Sequence, residues 1–129
     1  MAFYAYAMAD FNPLPHLDNV TTSLARVREF IRSKGAPAPP AVPVGVAGLP
    51  TAGCKTFTWE KQAVTLICFM LPGGELLHLF VIDKKVFKGQ PMPAGFNKIG
   101  NWNVEFSEVN GIVMIWVSRA PLEEIKQFV

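Results

Sequence analysis

Only two cysteines, two histidines and two tyrosines occur among the 129 residues, and just 17% of the residues are charged. No apolar run approaches the roughly 20 residues that a bilayer-spanning helix requires. The formal net charge of +2 comes from scattered basic residues, which gives no electrostatic footprint for nucleic acid. A Gly-x-Ser-x-Gly elbow, a phosphate-binding glycine loop, a His-Glu-x-x-His helix and a Cys-x-x-Cys pair are all missing. These absences point away from an enzyme, from a resident cofactor and from a compact zinc knuckle.

What is present is a globular composition, 50% hydrophobic, punctuated by 11 prolines and 10 glycines. A chain of this length is one domain, with enough residues for a core that needs no staples. Residues 1–16 are read as an extended or anchor-proximal segment. The first nine carry no charge and lack the basic n-region of a signal peptide. Phe3, Tyr4 and Tyr6 suit either packing against the core or the interfacial end of a membrane anchor.

Residues 17–34 carry the strongest helix signal. Leu17, Val20, Leu24, Val27 and Ile31 form one apolar stripe at alternating steps of three and four, with Asp18 or Asn19 as cap and Gly35 as stop. Arg26, Arg28, Glu29 and Arg32 fall on the wet back. Residues 35–53 are rich in proline and glycine, so the expectation is an extended strip with Val42, Val44, Val46 and Leu49 laid over the domain. Residues 54–129 read as an antiparallel meander of five strands closed by a short helix after Pro121. The fold class is therefore α+β, a five-stranded, mainly antiparallel sheet packed by one long N-terminal helix. Strands two, three and five are apolar on both faces; the long helix can cover one, and the other needs the proline-rich segment, the closing helix, a bound ligand or a second copy of the chain.

Cys54 and Cys68 lie equidistant from Lys61. A turn centred there makes them cross-strand neighbours, close enough for a disulfide worth about 3 kcal/mol in loop entropy. A one-residue shift sends the sulfurs to opposite faces, and two reduced, buried thiols are the competing reading. Pairing across residues 71–75 sets His78 opposite Cys68. The three then form a Cys54, Cys68, His78 row, a weak candidate for zinc or copper with no fourth ligand evident, so no metal is expected. A Cys68–His78 nucleophile is weaker still, because both are mid-strand among bulky apolar residues. Lys84, Lys85, Lys88 and Lys98 gather around the long connection after the third strand, as a surface for an acidic partner or simply as solvated lysines.

Two stretches resemble the extracytoplasmic domains of bacterial anti-sigma factors and related membrane-anchored regulators. The first runs from Gly53-Cys-Lys-Thr-Phe-Thr-Trp59 through Val64-Thr-Leu-Ile-Cys-Phe69 to Leu77-His-Leu-Phe-Val81. The second runs from Trp102 to Val129, a strand bearing Trp, an Asn-Gly turn, an apolar strand and a Pro-Leu-Glu-Glu-Ile helix. The resemblance implies a non-enzymatic sensing or protein-binding module outside the cytoplasmic membrane, in an oxidising setting that a disulfide prefers. The transmembrane span and the zinc-binding, sigma-binding domain of those regulators are not among these residues. The leading expectation is a periplasmic or extracytoplasmic module with a protein partner, a cytoplasmic setting staying open. A Cys/Cys/His metal- or redox-responsive domain is the alternative.

Overall fold

The computed structural model describes residues 15–89 and 92–129. The readings made for residues 1–14, the anchor-proximal segment included, lie outside them.

Ser23 starts a helix of 10 residues, in place of the long N-terminal helix expected. Its backbone is extended, and its hydroxyl accepts a hydrogen bond from the Arg26 amide at 3.3 Å, so Leu24–Ser33 is α1. Gly35, at φ 64°, ends it in the left-handed region, and the Ala36 amide returns to the Ile31 carbonyl. The expected helix over 17–34 thus loses its first two turns. Residues 18 and 19 instead bond to Cys54 on the sheet edge, and Thr51 donates to the Thr22 carbonyl. Thr21, Thr22 and Ser23 favour such extended and capping geometry over a helix interior. The apparent stripe splits accordingly: Val27 and Ile31 are buried, Leu17 packs on the opposite face of the sheet, and Val20 is 79% exposed. A second short helix, Val44–Ala47 (α2), interrupts the strip expected over 35–53; Val46 is buried and Val44 is not.

Thr51–Trp59 (β1) turns into Gln62–Met70 (β2) through Glu60 and Lys61 alone, both at positive φ (47° and 65°). That geometry matches the right-handed twist of paired strands. Leu76–Asp83 (β3) runs into a 3-10 turn at Lys84–Phe87. Phe96–Ile99 (β4), Trp102–Val109 (β5) and Ile112–Ser118 (β6) follow, and Leu122–Ile125 (α3) closes the chain. The sheet has six strands rather than the expected five, in the order β1-β2-β3-β6-β5-β4, and every neighbouring pair is antiparallel. The extra strand is β4, a four-residue edge piece inside the long connection after β3.

Both faces of the sheet are buried. One carries Val64, Leu66, Cys68, Phe80, Ile82, Val104, Val113, Ile115 and Val117, joined by Val86 and Phe87 of the 3-10 turn. The other carries Cys54, Ile67, Phe69, Leu77, Leu79, Val81, Met114 and Trp116 beneath Val27 and Ile31 of α1, Val46 of α2 and Ile125 of α3. Burial of each large apolar side chain stabilises the fold by roughly 1.5–3 kcal/mol. The case for a second copy covering a bare apolar face loses its support, because these residues are buried within one chain. No helix among the described residues is long and apolar enough to cross a membrane.

Candidate functional site

Because the β1–β2 turn holds two residues and not three, Gly53 opposes Cys68, and Cys54 opposes Ile67. Successive side chains on a strand point to opposite faces, so this single step places the two sulfurs on opposite sides of the sheet. Cys54 lies with α1, Cys68 lies on the other face, and both are free thiols. The expected disulfide is corrected by that register, and so is the three-residue metal row, since Cys54 cannot join the other two. Among the described residues no group of three His, Cys, Asp or Glu side chains is arranged to hold a metal ion.

The other half of the row is present. Leu71-Pro-Gly-Gly74 turns β2 into β3 so that Cys68 opposes His78, and the Cys68 Sγ stands 3.1 Å from His78 Nδ1. Both residues are 0% exposed. The Trp102 ring meets the imidazole edge-on at 5.9 Å, and the Arg119 guanidinium lies over the same indole at 5.9 Å. A file of groups therefore runs from thiol to imidazole to indole to an exposed cation. The sequence pointed to its first two members and missed Trp102 and Arg119, which only the pairing of β5 with β6 brings close.

Burial pushes the Cys68 thiol up to about 12, the Cys54 sulfur adding to the shift and Lys55 opposing it. Burial and the neighbouring Asp18 carboxylate raise Cys54 to about 11. At neutral pH the Cys68 sulfur keeps its proton, so the contact joins a neutral thiol to the imidazole. A nucleophilic cysteine needs the opposite, a depressed pKa and access to solvent. The geometry here makes a buried polar contact inside an apolar layer.

The lysines do not form one surface. Lys84 pairs with Glu108 at 3.3 Å, Lys85 with Asp83 at 4.0 Å and Lys88 with Glu60 at 3.7 Å, all around the 3-10 turn. Lys98 sits on β4 opposite Asn103, whereas Asp83 opposes Ile112, which pairs with Val109 at the far end of β5. At about 3.3 Å per residue the two ends are roughly 20 Å apart along the strand. On the wet back of α1 lies a recess of about 380 Å³ lined by Arg28, Arg32, Gly35, Ala36, Ala38 and Pro39.

No protein-family model matches the chain, and no curated protein or solved structure matches it either.

Proposed function

We propose that this chain is a non-enzymatic sensing or protein-binding module, the extracytoplasmic domain of an anti-sigma-like regulator. The observation that carries the reading is where the polar chemistry sits. Among the described residues one thiol–imidazole contact is present, sealed in the core with its thiol kept neutral by burial, while an arginine-lined recess opens to solvent. An interior contact of this kind is closed to solvent and to partners; an open recess with fixed walls is a place for a partner. The stretches that resemble the extracytoplasmic domains also fall on whole structural units, β1-β2-β3 and β5-β6-α3. The free thiols withdraw the disulfide from the argument for an oxidising compartment, which leaves the resemblance as its support.

Cross-linking of the tagged protein at native abundance in its own cells tests the reading. The expected result is one dominant protein partner, resident in the envelope, that forms a stoichiometric complex with the purified chain. Recovery of no reconstitutable partner contradicts the binding module, and a soluble intracellular partner contradicts the extracytoplasmic assignment.

A further inference from the structure

Arg28 and Arg32 are four residues apart on α1, so their side chains emerge from the same face one turn from each other. Both are exposed, and neither forms an ion pair with another described residue; the ion pairs among the described residues use Lys84, Lys85 and Lys88. Glu29, the acid on the same helix, is not within ion-pair distance of either, and no acid lines the recess. Two like charges at this spacing cost an isolated helix a few tenths of a kcal/mol, a cost that an anion between them removes.

The opposite wall is fixed. Gly35 turns the chain back along the helix, and the Ala36 amide is held by the Ile31 carbonyl at 3.2 Å. Thr65 of β2 donates its hydroxyl to the Pro37 carbonyl at 2.6 Å, and Pro39 is buried. Prolines at 37, 39 and 40 lock their own φ angles, so this wall loses little entropy when something docks against it. Ala36, Ala38 and Pro39 supply an apolar surface beside the two guanidinium groups.

We infer that the Arg28–Arg32 recess is the docking site for an acidic, extended segment of a protein partner, whose carboxylates the two guanidinium forks grip while aliphatic stems rest on the alanine–proline wall. This rests on the binding-module reading and names the chemistry of its partner. Planar guanidinium groups match carboxylates with paired hydrogen bonds. A concave, walled recess admits a side chain, whereas a membrane presents its headgroups as a broad plane to a convex basic surface. The lysines around the 3-10 turn are each already beside a carboxylate and compete less well for the same partner.

The test uses the full chain and a fluorescein-labelled hexaglutamate peptide, read by fluorescence anisotropy at low salt. Arg28→Gln/Arg32→Gln is expected to weaken binding by about tenfold or more. Lys84→Gln/Lys85→Gln removes the same charge elsewhere and is expected to change it by no more than about twofold. Arg28→Lys/Arg32→Lys falls between them, because charge is kept and the fork is lost. All three variants should keep the thermal midpoint of the parent, since the substituted side chains are exposed. Equal weakening by the arginine and lysine pairs overturns the assignment, as does absence of peptide binding to the parent. Inorganic phosphate that competes on equal terms with the peptide, or capture by vesicles of phosphatidylglycerol in place of the peptide, also overturns it. If the cross-linked partner is retained in full by Arg28→Gln/Arg32→Gln, the module reading stands and this recess is not its site.

Discussion

Gly53→Ala is expected to destabilise the protein by about 3 kcal/mol or more, enough to leave a large unfolded fraction in a marginally stable domain. Gly53 sits at φ 142°, where L residues are strained, and beside an irregularity in the β1–β2 register between Thr51 and Gly53. A Cβ built there lands inside contact distance of the Asn19 carbonyl oxygen, and 3.0 Å from Val20 Cα. Both obstacles are backbone, so no side-chain rotation relieves them. The Asn19 carbonyl also accepts the Cys54 amide at 2.9 Å, part of the bonding that holds residues 18–23 along the β1 edge. The substitution forces a choice between a clash and losing that edge. Chemical denaturation checks the effect, with Gly74→Ala as comparison: Gly74 also has positive φ (99°), but open space surrounds its Cβ position. The comparison variant should lose only the cost of its dihedral, about 1–2 kcal/mol. Equal losses at the two positions would contradict the close approach of residues 19 and 20 to β1.

Alkaline pH is expected to unfold the protein earlier than lysine and tyrosine titration alone would, and the two thiols are the reason. In the unfolded chain a cysteine loses its proton near 9.0, whereas burial holds Cys54 to about 11 and Cys68 to about 12 in the folded state. Between those values the native state binds more protons than the unfolded one, so stability falls as pH rises. Below pH 9 both states are protonated and the contribution is flat. Within the window each thiol adds a slope approaching about 1.4 kcal/mol per pH unit. Denaturation midpoints of the parent and of Cys68→Val, measured from pH 7 to pH 11, isolate the effect. Loss of the imidazole's partner lowers the variant's stability at every pH, but its curve should be flatter above pH 9. Parallel curves would mean that Cys68 is not held protonated by burial.

The strands were legible because their turns are punctuated. Leu71-Pro-Gly-Gly74 and Asn110-Gly111 announce reversals, and the first of them sets His78 opposite Cys68 as expected. Glu60-Lys61 announces nothing: neither residue is a usual left-handed former, yet both adopt positive φ. Alternation cannot supply the missing register, because residues 64–69 are buried on both faces of β2. A three-residue and a two-residue turn therefore fitted the sequence equally well, and the position of Cys54 depended on the choice. The edge strand β4 was hidden because four residues among prolines and glycines are too few for a period. The start of α1 was misplaced because Leu17 and Val20 fit a helical stripe while Thr21, Thr22 and Ser23 favour an extended edge. The arginine recess has no signal in the helix alone; its second wall comes from the turn at Gly35 and the bond from Thr65 to Pro37.

The chemistry-bearing pair is sealed in the core, so the working surface lies elsewhere. Iodoacetamide labelling of the native protein at neutral pH, followed by intact-mass spectrometry without reduction, tests it most directly. No label is expected on Cys54 or Cys68 while the protein is folded, and two labels as soon as it is unfolded. Rapid labelling of Cys68 in the folded protein, or an unfolded protein that takes no label because the sulfurs are bonded, would contradict it.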